Sequence, residues 1–99
     1  MPTNKLLFTR EAESNLAALE ADKGLAKRLK AVKKTLGLME MDLRHRSLQT
    51  RKYDSLAGKD GEEVFEAYAE NKTPGAYRVF WHYGPGKNVV TIIAITPHP

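Results

Sequence analysis

Glu66 and Tyr68 in "VFEAYAE", and Arg78 and His82 in "AYRVFWHY", stand at even positions of two segments that alternate apolar and polar residues. A strand sends alternate side chains to one face, so a hairpin of these segments would gather a carboxylate, a phenol, a guanidinium and an imidazole. Metal-free RNA cleavage requires such a set. A 2′-hydroxyl must lose its proton to attack the neighbouring phosphate, the crowded phosphorane needs a fixed cation, and the leaving 5′-oxygen needs a proton. Carboxylate or imidazole can serve as base or acid, and a planar arginine fork suits phosphate oxygens. A second imidazole, His98, follows in the closing "TPHP", where flanking prolines restrict its backbone and the last strand would deliver it to the sheet's edge. Each group also has a structural reading. Arg78 could pair across the sheet with Glu66 or Glu70, His82 could be a solvent-exposed histidine beside a turn, and His98 a polar residue near a frayed terminus.

The elements that must position this set follow from periodicity. "KLLFT" reads as a first strand, and Thr9 caps a helix with Glu11 and Glu13 in its first turn and an apolar stripe at Ala12, Leu16 and Leu19. Gly24 separates it from a second helix. There Leu25, Leu29, Val32, Leu36, Met39 and Leu43 form one stripe, and Lys23, Lys27, Lys30 and Lys34 line the other side. "HRSLQTRKY" reads as an exposed connection into a short edge strand, and "SLAGKDGEE" as a turn. "VFEAYAE" and "AYRVFWHY" are joined by "NKTPG", and "GPGK" leads to the apolar "NVVTIIAIT", a central strand. The architecture expected is α+β: two N-terminal helices on one face of a mainly antiparallel four- to five-stranded sheet.

Setting Glu70 opposite Ala76 places Tyr68 opposite Arg78, Glu66 opposite Phe80 and Val64 opposite His82. Phe65, Ala67, Ala69, Tyr77, Val79 and Trp81 then form the face under the helices, and the even face is expected to lie uncovered.

With 99 residues, 41% of them hydrophobic and 28% charged, the chain is expected to form a single domain over residues 1–99. No apolar run approaches the roughly 18 residues of a membrane span, and "MPTNKLLFTREAES" does not read as an export signal, so a cytoplasmic protein is expected. The absence of cysteine excludes thiol nucleophiles, thiolate metal sites and disulfides. No cofactor and no metal are expected. The net charge of +4 is unevenly spread: Lys23 to Lys52 holds ten Lys/Arg against two acids, Tyr53 to Lys72 two against six. A basic half favours a polyanionic partner, although a solvated helix face explains it equally well. Lys27, Lys30, Lys34, Arg44, Arg46, Arg51 and Lys52 are the candidate RNA-binding residues.

"AYRVFW" is similar to the Gly/Ala-Tyr-Arg-hydrophobic strand of RelE/ParE-superfamily toxins of bacterial type II toxin–antitoxin systems. "IIAITPHP" resembles their apolar last strand ending in a basic or histidine position, and "RHRSLQTRKY" their basic entry to the second strand. The order of elements matches over essentially the whole length. The resemblance implies ribosome-dependent mRNA cleavage, as by RelE-like members, or gyrase inhibition, as by ParE-like members, and a cognate antitoxin bound in a hetero-oligomer that masks the active surface. Arg78 then matches the family's phosphate-binding arginine, and His98 lies near a catalytic Arg or His position. Glu66 and Tyr68 stand where RelE-like enzymes carry paired lysines, and no terminal helix supplies a late tyrosine. The readings that follow are an RNA endonuclease acting on the ribosome and mRNA, a non-catalytic gyrase inhibitor, and a toxin-like binding module without activity.

Overall fold

Thr9 shows how local chemistry starts this fold. Its side-chain oxygen accepts from the Ala12 N–H at 3.1 Å, capping the first helix, while its hydroxyl donates to the Ile93 carbonyl at 3.0 Å and ties that cap to the last strand. In the computed structural model, which describes residues 3–97, the chain runs β1 (Lys5–Phe8), α1 (Arg10–Ala21), α2 (Ala26–Met41), β2 (Arg51–Ala57), β3 (Glu63–Tyr68), β4 (Tyr77–Tyr83) and β5 (Val89–Pro97). Tight 3-10 turns at Lys23–Leu25 and Arg46–Leu48 precede α2 and β2. The expected α+β architecture is present, with five strands in the order β1-β5-β4-β3-β2.

Only the β1–β5 pair is parallel, Lys5 opposite Val89 through Phe8 opposite Ile92; the other pairs are antiparallel. The hairpin register expected from the sequence is observed: Glu66 lies opposite Phe80 and Tyr68 opposite Arg78. Phe65, Ala67, Ala69, Tyr77, Val79 and Trp81 pack beneath the helices with Leu19, Val32, Leu36 and Met39. Trp81 is 1% exposed and stacks on Phe65 at 5.1 Å. Burying these large side chains supplies most of the drive for folding, at roughly 25 cal/mol per Å² of apolar surface.

Several boundaries differ from the sequence reading. Asp22 accepts from the Gly24 N–H and turns the chain, so Lys23 and Leu25 lie in the 3-10 turn before α2. The Asp42 N–H donates to the Leu38 carbonyl and closes α2 before Leu43, which still packs on the core. Ser55, Leu56 and Ala57 continue β2, confining the turn to Gly58–Glu62.

The even face is not uncovered. Val64, Phe80 and Ala94 form a second apolar cluster with Tyr53 and Ile93 against it, and Glu66, Arg78 and His82 are 1%, 7% and 6% exposed. Two features cause this. Edge strand β2 brings Tyr53 to 4.9 Å from the Phe80 ring. The β4–β5 register also shifts between Phe80 and Trp81, which pair with Ala94 and Ile92, and the extra residue places Ile93 beside Ala94 on the same cluster.

Candidate active site

The centre of the even face is a ladder across four strands: Arg51 opposite Glu66, Glu66 opposite Phe80, Phe80 opposite Ala94. One step along lie Tyr68, Arg78 and Thr96. Glu66 and Arg78 are therefore diagonal neighbours on adjacent strands, at a spacing that long side chains bridge.

Arg78 is held on two sides. Its guanidinium carbon lies 3.6 Å from the centroid of the Tyr68 ring, and Nη1 donates to the Glu70 carbonyl at 2.6 Å and to the Tyr77 carbonyl at 3.3 Å. Its Nε is buried and has no hydrogen-bond partner among the described residues. The alternative in which Arg78 pairs with the Glu70 carboxylate is not what forms. That carboxylate accepts from the Tyr77 N–H at 3.1 Å and meets Arg28 at 3.4 Å.

Glu66 has an ion-pair partner that the sequence had placed among the RNA contacts: Arg51 Nε stands 3.8 Å from Glu66 Oε1. The Arg51 side chain is 65% exposed and that of Glu66 1%, so a solvent-facing cation covers a buried carboxylate. The Arg51 guanidinium also lies 6.0 Å from the Tyr68 centroid, which leaves the phenol ring between two arginines.

His82 is not the exposed histidine of the structural reading. Its Nδ1 lies 2.8 Å from the Tyr83 carbonyl. A carbonyl only accepts, so Nδ1 carries the proton and the neutral ring keeps its lone pair on Nε2. Near His82, the Glu62 carboxyl is held below its usual range, first by its own backbone N–H, then by that of Asp60, with a lesser contribution from His82. His98 lies outside the described residues. Pro97, which precedes it, sits opposite Tyr77 at the start of β4, and β5 lies inside the sheet between β1 and β4, as its apolar run predicts.

The proposed RNA contacts Lys27, Lys30, Lys34, Arg44, Arg46, Arg51 and Lys52 are all exposed. Lys52 is engaged locally, 3.1 Å from Glu63 and 3.6 Å from Asp54, and its pKa is raised first by the Glu63 hydrogen bond. The sequence reading missed Arg51 as the partner of Glu66 and Thr96 as the residue facing Arg78. No local period marks either, because β5 is apolar on both faces and both the β2–β3 and β4–β5 pairings carry a register shift. Among the described residues, no group of His, Asp and Glu is arranged to hold a metal ion, and no helix is long and apolar enough to cross a membrane.

No protein-family model matches the chain, and comparison with curated proteins gives no match. Solved structures do. A YoeB dimer from Staphylococcus aureus superposes with a TM-score of 0.64 at 12% identity, covering 98% of this chain and 99% of that one. The archaeal RelE–RelB complex from Pyrococcus horikoshii OT3 gives 0.62 at 15% identity, covering 96% and 94%. A YoeB/ParE toxin from Agrobacterium tumefaciens gives 0.65 at 11% identity, covering 96% and 99%. The chain thus shares its fold with these YoeB, RelE and YoeB/ParE structures over nearly its whole length. At these identities the shared property is the fold.

Proposed function

We propose that this protein is the toxin of a type II toxin–antitoxin system and cleaves mRNA on the ribosome. The observation that carries the reading is Arg78: a guanidinium set over the Tyr68 ring, diagonal to the Glu66 carboxylate, with its buried Nε–H unspent. In this reading Glu66 takes the 2′-hydroxyl proton, Arg78 holds the phosphorane oxygens with Arg51 beside it, and His98 protonates the leaving 5′-oxygen. Tyr68 fixes the plane of Arg78, and His82 offers its Nε2 lone pair as a further base. The exposed cations of α2 and of residues 44–52 hold ribosomal or messenger RNA phosphates. The partner is an antitoxin, acidic and partly disordered before binding, since the RelE neighbour is a complex with RelB and this chain carries a cationic surface. The protein acts in the cytoplasm as a single domain spanning residues 1–99.

The test is single-turnover cleavage on programmed ribosomes by wild type, Arg78→Lys, Glu66→Gln and His98→Ala. Cleavage that the variants slow supports the reading, and absence of cleavage by the wild type removes it. One observation favours inhibition of gyrase instead. Glu66, Arg78 and His82 are each more than nine-tenths buried, which suits a protein that acts through its surface. Incubation with gyrase and supercoiled DNA separates the two, and silence in both assays leaves the binding module.

A further inference from the structure

A second concave feature lies away from the Glu66–Arg78 face. Leu43, Arg44, His45, Arg46, Thr50 and Tyr83 line an open cleft of about 300 Å³ at the end of the sheet on the helix side. Tyr83 is 59% exposed, yet its ring is held, edge-on to Trp81 at 4.9 Å and to Phe65 at 5.6 Å. A fixed and exposed aromatic ring is a stacking platform whose conformational entropy is already spent.

The opposite wall is cationic and anchored. Leu48, 1% exposed, pins the 3-10 turn Arg46–Leu48 into the core, and Arg44 and Arg46 extend from that segment without an ion-pair partner among the described residues. His45 Nδ1 accepts from the Ser47 N–H at 3.1 Å, so the neutral imidazole carries its proton on Nε2 and keeps a donor to offer.

We propose that this cleft binds one nucleotide of a single-stranded RNA, its base stacked on Tyr83 and its flanking phosphates held by Arg44 and Arg46. The inference rests on the reading of RNA as substrate and adds a gripping site distinct from the Glu66–Arg78 centre. A polynucleotide fits better than a free nucleotide because positive charge continues past the cleft: Lys34 of α2 is exposed and lines the neighbouring hollow with Ser47, the residue that follows Arg46. One phosphate could not engage this row of cations, whereas successive phosphates of a strand can.

The experiment is fluorescence anisotropy of labelled oligouridylate and oligoadenylate with the whole protein, without ribosomes. Tyr83→Leu should weaken binding by about 5- to 150-fold, the range expected for removing one base stack, while Tyr83→Phe stays within about twofold of wild type. Replacing Arg44 and Arg46 by Gln should lower affinity for both oligonucleotides alike and flatten the log-affinity against log-salt slope by about 0.7 for each phosphate no longer neutralised. These two positions are exposed, so their readout survives if Tyr83→Leu folds poorly. Unchanged affinity in Tyr83→Leu and in the arginine variant, or equal competition by polyglutamate of matched charge, overturns the proposal. The outcomes are separable: Tyr83-dependent binding without ribosomal cleavage sinks only the nuclease reading, and cleavage with Tyr83-independent binding sinks only this one.

Discussion

Arg78 and Tyr68 face each other across β3 and β4, with the guanidinium carbon 3.6 Å from the ring centroid, so the cation rests directly on the aromatic face. Contact this close leaves no water between them, and the Glu70 carbonyl holds Nη1 from a second side. Lysine keeps the charge and loses the plane. Arg78→Lys is expected to slow single-turnover cleavage by about 10²-fold or more, by analogy with the loss of a preorganised charge-stabilising donor. It should also lower stability by about 1–3 kcal/mol, since a charged hydrogen bond to the half-buried Glu70 carbonyl goes with it. Thermal denaturation and ribosomal cleavage together check both.

Glu66→Gln keeps the shape of a nine-tenths-buried side chain and removes the proton acceptor. Loss of a general base costs about 10²–10⁴-fold, so kcat should fall in that range while ribosome binding is retained. Arg51→Ala removes the 65%-exposed cation that covers the buried Glu66 carboxylate, so it should cost stability beyond the roughly 1 kcal/mol of a pair exposed on both sides. A cleavage rate in Glu66→Gln equal to wild type would remove the carboxylate from the chemistry.

Arg28 is the expected weak point of the scaffold. From α2 it donates to the Gly75 carbonyl at 2.7 Å and the Pro74 carbonyl at 3.3 Å, pairs with Glu70 and lies 5.5 Å from the Tyr77 centroid. It therefore ties a helix to the loop that sets the β3–β4 register. Arg28→Ala should destabilise by about 1–3 kcal/mol and lower Tm by about 4–8 °C for each kcal/mol, as followed by calorimetry.

Glu62 makes a pH prediction. Its carboxylate accepts from the Asp60 N–H at 2.9 Å across the β2–β3 turn, and its pKa is depressed first by its own backbone N–H and then by this one. A depressed carboxyl stabilises the fold above its unfolded pKa, about 4.3, and that contribution is lost as pH falls through the lower folded value. Tm should therefore drop more steeply below about pH 4.3 in wild type than in Glu62→Gln. Gly58→Ala should disturb the same turn, because a Cβ there would meet Glu62 Oε1 and also crowd the Glu62 Cβ at 3.0 Å. The alanine variant should lose the acid-dependent part and keep the rest.

Antitoxin binding, where charge draws the partners together, should weaken as salt rises. Titration of the complex across salt concentrations checks this, and a salt-independent affinity would speak against a cationic docking surface.

How much of this was legible depends on how far apart the deciding residues lie. Period two and the length of "NKTPG" sufficed for the pairing of Glu66 with Phe80 and Tyr68 with Arg78, since all the information is local. The burial of that face was not legible. It comes from Tyr53 on another strand and from the register shift opposite Phe80 and Trp81, neither of which leaves a periodic trace. Arg51 looked like any exposed cation until β2 was placed against Glu66. The extension of β2 through Leu56 was hidden by the Gly58 and Asp60-Gly61 signals just beyond it.

The parallel pairing of Lys5–Phe8 with Val89–Ile92 has a temporal consequence. Ribosomes release a chain from its N-terminus, so β1 and both helices emerge long before β5, the strand that joins β1 to the rest of the sheet. Until β5 follows, the apolar stripe of α1 has no floor and the Thr9 hydroxyl has no Ile93 carbonyl to hold. Such long sequence separations slow folding and make assembly wait for the late strand. The domain would thus be unable to take shape while the ribosome that makes it is still at work, and whatever its folded surface does is withheld until β5 has emerged.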